Sequence, residues 1–199
     1  NFKLKISDQF EAENWLRNYI KASKDLEVKK SEIVLGVPFL IKNLFDELAE
    51  DKKEVFLGAQ NCFWEDKGAY TGEIGPKMLK SMGVNYVILG HSERREYFKE
   101  TNEEIAKKLE RVLKNRLTPI VCIGENSEEK RQELTGEVIL KQLEEILEKV
   151  GPGNMEKTVL CYEPVWAISS NNPDTLTTGN EIMEDRLLIK KFLVKKYGQ

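Results

Sequence analysis

A chain of 199 residues, 40% apolar and 33% charged, has the material for one sizeable core and an ordinary mixed-charge surface. A formal net charge of −3 lacks the concentrated basic excess that phosphate backbones require, so nucleic acid is not an expected partner. The apolar runs are too short to span a membrane, and the first residues have neither the charged start nor the apolar run of a signal peptide.

In chain order, strand-like runs at 1–5, 32–36, 55–60, 86–90, 119–123 and 158–162 alternate with helical stretches at about 8–22, 40–50, 76–82, 102–115, 129–150 and 181–197. In the first helix Phe10, Trp15, Leu16 and Tyr19 share one face while Glu11, Glu13 and Arg17 fall elsewhere, so it packs one side on a core. Ile33-Val34-Leu35 and Tyr86-Val87-Ile88-Leu89 are continuously apolar, as strands covered on both faces of a parallel sheet are. The alternation defines one α/β domain over 1–199 with about six βα units, and it fits either an open doubly wound sheet or a closed (β/α)8 barrel. Gly151-Pro152-Gly153 follows a helix and reads as a helix stop, and the paired lysines at 29–30, 52–53 and 195–196 read as solvated.

Three cysteines, Cys62, Cys122 and Cys161, are odd in number and far apart, which suits a reducing cytosol better than a disulfide framework. With a single histidine and no clustered cysteines, no transition metal is expected, and no glycine-rich loop ends in Gly-Lys-Ser/Thr. No cofactor is expected either.

The residues with chemistry stand at strand ends. His91 directly follows the buried run 86–90, at the C-terminal end where parallel α/β proteins bind ligands. Glu163 closes the run 159–162, and Pro164 then stops the ladder. Burial there raises a carboxyl pKa toward the range of a general base, and a nearby lysine opposes the rise. Asn1 and Lys3, two apart, leave the same face of the first run, and a lysine inside a barrel needs a carboxylate or an anionic ligand. Taken singly, each has a plain structural alternative: a turn-capping His, a solvated loop Glu, a frayed edge strand.

Five separated segments carry a closer resemblance: Asn1-Phe-Lys-Leu4, the stretch from Gly58 through Cys62 and Trp64 to Ile74, Val87-Ile-Leu-Gly-His-Ser-Glu-Arg-Arg95, Cys122-Ile-Gly-Glu125 and Tyr162-Glu-Pro-Val-Trp-Ala-Ile168. In order and spacing they resemble the triosephosphate isomerases along the whole chain. The resemblance implies a TIM (β/α)8 barrel that interconverts dihydroxyacetone phosphate and glyceraldehyde 3-phosphate through an enediolate, without cofactor or metal. It implies Glu163 as base and His91, as neutral imidazole, as electrophile, a division of roles for which this family is itself the standard illustration. Lys3 matches the family's ammonium and Asn1 its oxygen-holding amide. Glu93 resembles the lysine's carboxylate partner and Ser92 the hydroxyl that holds the base, with Gln60, Asn61 and Glu125 in support. The loop 64–75, with Thr71, Gly72 and Glu73, resembles an arm that reaches into a second subunit, which implies a homodimer.

The sequence departs from the family in two places. Ser169, Ser170 and Asn171 stand where the family has a Gly-Thr-Gly-Lys lid tip over the substrate phosphate, so a backbone N–H there would have to grip it. The start lacks an initiator Met, and the phosphate loops that the family carries on strands seven and eight are not in the sequence, so two βα units are expected to lie beyond it. On that expectation the 199 residues alone would have little activity. A catalytically silent scaffold built on the same barrel is the competing reading.

Overall fold

The computed structural model describes residues 1–22, 31–46, 54–168 and 177–198. Among these, five strands form one parallel sheet: β1 (Ile33–Val37), β2 (Val55–Ala59), β3 (Tyr86–Leu89), β4 (Thr118–Ile123) and β5 (Val159–Tyr162). Their spatial order is their chain order, with no reversal. A doubly wound sheet must reverse at a switch point, so the unreversed order selects between the two architectures open to the pattern: the sheet is an arc of a (β/α)8 barrel wall.

Eight α-helices are described. They are α1 (Gln9–Ala22), α2 (Pro76–Ser81), α3 (Ser92–Tyr97), α4 (Asn102–Lys114), α5 (Ser127–Arg131), α6 (Thr135–Ile146), α7 (Pro152–Met155) and α8 (Gly179–Tyr197). α4 begins at a capping box in which the Thr101 hydroxyl accepts from the Glu104 amide while the Glu104 carboxylate accepts from the Thr101 amide, satisfying two otherwise orphaned donors. Its apolar stripe of Ile105, Leu109 and Val112 is fully buried against Val87, Leu89 and Val121 of the sheet. Truncating Leu109 to alanine there costs about 2–5 kcal/mol, the range for a buried leucine. A second cluster joins α1 to β1 and β2 through Ala12, Val37, Phe45 and Leu57, with Phe2 edge-on to Trp15 at 4.7 Å.

Four expectations are corrected. The first run is not a strand: it makes one ladder-like bond, from Phe2 N to Gly36 O at 2.9 Å, and then turns at Lys3, whose φ is 53°. The Gln60 side-chain amide donates to Gly36 O and Lys3 O at 3.1 Å each, and to Asn1 Oδ1 at 3.2 Å. It thus engages the carbonyls that a sixth strand would pair, so five strands are described where six were expected. The helix expected over 129–150 is two helices, because Glu133 takes a left-handed φ of 58° between α5 and α6. Gly151-Pro152-Gly153 opens the one-turn helix α7, with Pro152 in the first turn where its missing N–H costs nothing. The stretch expected as a helix at 40–50 is a 3-10 helix, Phe39–Phe45, and 47–50 lie outside the described residues.

Candidate active site

The site is built where β3, β4 and β5 end. After β3 the chain turns at Gly90, whose φ is 67°; a Cβ there would sit 2.7 Å from Ile105 Cδ1 and 3.0 Å from an Arg95 nitrogen. Only glycine fits both demands, and the turn delivers His91 to the N-cap of α3. His91 is 9% exposed, and its Nδ1 accepts from the Glu93 amide at 3.2 Å. With Nδ1 as acceptor, the hydrogen-bond network assigns the neutral ring's N–H to Nε2. Nε2 faces Glu163 Oε2 at 3.8 Å.

Glu163 leaves β5 toward the same point. Its Oε1 accepts from the backbone N–H of Ser92 at 3.1 Å, a contact from the main chain, whereas the resemblance had pointed to the hydroxyl. The Lys3 ammonium lies 2.6 Å from Glu93 Oε1, both side chains being partly buried. Asn1 Oδ1 accepts from the Lys3 amide at 3.0 Å, and Asn61 Oδ1 accepts from Lys108 Nζ at 3.0 Å. His91, Ser92, Glu93 and Glu163 therefore meet in one cluster, and Lys3 joins it through Glu93. Thr71, Gly72 and Glu73 lie apart from it on an exposed loop whose base is stiffened by Phe63 stacked on Trp64 at 4.1 Å. Ser169, Ser170 and Asn171 lie outside the described residues.

Behind the cluster sit residues to which the sequence reading gave no role. Arg95 donates to Gly90 O at 2.8 Å, to Cys122 O at 3.2 Å and to Asn102 Oδ1 at 2.6 Å, pinning the ends of β3 and β4 to the start of α4. Burial pulls its guanidinium below the ordinary arginine value, against the pull of Glu100 and Glu163. Gly124 packs directly on the Glu163 backbone, and Glu163 N donates to Ile123 O at 2.9 Å.

Glu125 is fully buried and accepts from the Trp166 indole at 2.8 Å and from the Tyr162 hydroxyl at 3.1 Å. Tyr162 also lies 2.7 Å from Asp185 on α8, and burial together with these carboxylates pushes its phenol well above the usual range. Lys130 covers the other face of Trp166 at 5.2 Å and pairs with Glu181 at 3.2 Å. The arginine pair Arg94-Arg95, directly behind a strand end, was a signal for Arg95; nothing local marks Asp185.

A parallel barrel arc carrying a buried histidine after β3 and a carboxylate after β5, with a lysine–glutamate pair beside them, defines an α/β enzyme equipped for proton transfer. A family model described as triosephosphate isomerase matches residues 1–199. The triosephosphate isomerase of Dictyoglomus thermophilum is 46% identical over 187 residues, covering 94% of this chain and 73% of its own length. That of Dictyoglomus turgidum is 42% identical over 189 residues, covering 95% and 74%. That of Thermoanaerobacter pseudethanolicus is 38% identical over 199 residues, covering 100% and 77%. The chain belongs to the triosephosphate isomerase family. No helix among the described residues is long and apolar enough to cross a membrane.

Proposed function

We propose that this protein interconverts dihydroxyacetone phosphate and glyceraldehyde 3-phosphate by proton transfer, with Glu163 as base and His91 as electrophile. The observation that carries the assignment is the approach of His91 Nε2 to Glu163 Oε2 at 3.8 Å across the C-terminal end of β4. A carboxylate there can take a proton from the carbon beside the carbonyl and return it to the next carbon. The Nε2–H opposite can hydrogen-bond the oxygen on which negative charge develops, at no reorganisation cost in a partly closed site. Lys3, held 2.6 Å from Glu93, supplies a fixed positive charge for the anionic substrate and enediolate, and Asn1 an amide beside it.

The lid role of Ser169, Ser170 and Asn171 and the arm role of Thr71, Gly72 and Glu73 belong to the same reading. It makes the protein a cytoplasmic homodimer acting on a small phosphorylated triose. The three free thiols suit that compartment, and the protruding stiffened loop suits an arm.

The test is a coupled assay with glyceraldehyde 3-phosphate on the unmodified protein, Glu163→Gln and His91→Asn, alongside sedimentation equilibrium. The expected result is isomerisation that falls at least ~10²-fold in each variant, with a dimer in solution. Absence of isomerisation in the unmodified protein would leave the silent-scaffold reading, and a monomer would remove the arm assignment.

A further inference from the structure

Cys122 and Cys161 are partners in register on the neighbouring parallel strands β4 and β5. Val121, Ile123, Leu160 and Tyr162, their chain neighbours, pack into the outer core, so alternation turns both cysteines to the opposite, inner face. Neighbouring strands run about 4.7–4.9 Å apart, inside the roughly 4.4–6.8 Å Cα separation that a disulfide accepts. Each thiol is the neighbour that most strongly shifts the other's titration, upward for Cys122 and downward for Cys161. Each also lies within electrostatic reach of Glu163, which stands two residues beyond Cys161 in the chain.

We propose that Cys122 and Cys161 form a reversible dithiol–disulfide site behind Glu163, oxidised by hydroperoxides. The pair is asymmetric. Cys122 is 3% exposed, and its thiol is pushed up by the Cys161 thiol beside it and by burial. Cys161 is half-buried, and the neighbouring Cys122 holds its thiol below the usual value. Cys161 is therefore the attacking sulfur and Cys122 the resolving one.

The Cys161 thiolate attacks one peroxide oxygen and the O–O bond breaks. The leaving hydroxide takes up the proton released by Cys161 and departs as water, leaving a sulfenic acid on Cys161. The Cys122 sulfur then attacks the Cys161 sulfur; the S–O bond breaks, and the second hydroxide takes the Cys122 proton as water. Two thiols lose two electrons and two protons, and one hydrogen peroxide becomes two waters. Cys62, 2% exposed and pushed up to about 12 by burial, stays reduced and serves as an internal control.

The experiment treats the reduced, full-length protein with hydrogen peroxide, then denatures, alkylates and maps it by mass spectrometry. Before alkylation the expected product is lighter by about 2 Da than the reduced protein; after it, one cystine joins the peptides of Cys122 and Cys161, Cys62 is alkylated, and dithiothreitol reverses the bridge fully. Cys62→Ala still forms the bridge; Cys161→Ala does not, and takes up oxygen or stays unmodified. Bridges that involve Cys62, oxygen adducts alone in the unmodified protein, or no reaction each overturn the proposal. This readout needs no turnover, so it stands apart from the isomerase assignment. Where that assignment holds, activity falls in step with the bridge, and full activity in the bridged protein would refute the coupling to Glu163.

Discussion

The carbonyl oxygen of Glu163 lies 1.9 Å from where a Cβ on Gly124 would be, so the base rests directly against the bare backbone of the neighbouring strand end. No side chain of any size fits without displacing one of the two strands. Gly124→Ala is therefore expected to cost about 2–3 kcal/mol, the upper range for overpacking. It should also lower kcat roughly 10²-fold, as an ångström-scale misplacement of a catalytic group does, with a much smaller change in KM. Urea denaturation and steady-state kinetics on one preparation check both; an alanine variant with unchanged kcat would mean that β4 does not seat the base.

Trp166→Phe keeps the ring that Lys130 covers and removes the indole N–H that Glu125 accepts at 2.8 Å. Glu125 is fully buried, so an oxygen left short of a donor costs about 1–3 kcal/mol. The denaturant midpoint should fall with an unchanged m-value. A variant as stable as the parent would show that water or the Tyr162 hydroxyl replaces the indole.

Lys108 and Glu100 form a close ion pair, and both are almost completely buried. Removing the cation alone, in Lys108→Met, leaves Glu100 with the more distant Arg94, whose Nε is 3.4 Å away, and should cost at least about 3 kcal/mol. Adding Glu100→Gln should recover part of that loss, because the stranded charge goes with it. A double-mutant cycle measures the coupling; strictly additive costs would mean that the pair does not act as a unit.

Cys62 gives the protein an alkaline signature. Burial raises its thiol from 9.0 to about 12, so between these values the folded chain keeps a proton that the unfolded chain has lost. Stability from this group is whole below pH 9 and declines toward pH 12, by about 1.4 kcal/mol per unit. Comparing unfolding of the parent and Cys62→Ala across that interval isolates the contribution. The native thiol should also resist iodoacetamide at pH 9, and ready alkylation of Cys62 in folded protein would contradict its burial.

Much of the wall was legible because its signals are local. Continuous apolar runs marked β1 and β3 to within a residue or two, the strand-like run at 55–60 is β2, and the helical stretch at 102–115 is α4. His91 and Glu163 were readable because each directly follows such a run. The failures share a cause in long-range partners. Alternation at 1–5 looks like a strand until Gln60, far along the chain, engages its carbonyls. A left-handed Glu133 has no signature that distinguishes it from a helical one, since glutamate is a good helix former. Arg95, Gly124 and the Cys122–Cys161 pair acquire meaning only when β3, β4 and β5 lie side by side. The two cysteines did share a hint, each standing one residue before its strand's last.

The unreversed strand order also bears on how the chain is made. Each strand pairs with the one synthesised just before it, Ile33 with Val55, Tyr86 with Thr118, Ile120 with Val159. No pairing in the described sheet waits for a distant segment, so loop-closure entropy stays modest at every step. The sheet can grow outward from the ribosome one βα unit at a time, each new strand meeting a finished template. The last described strand, β5, leads into Glu163, so the base reaches His91 only after β1 to β4 have been laid down.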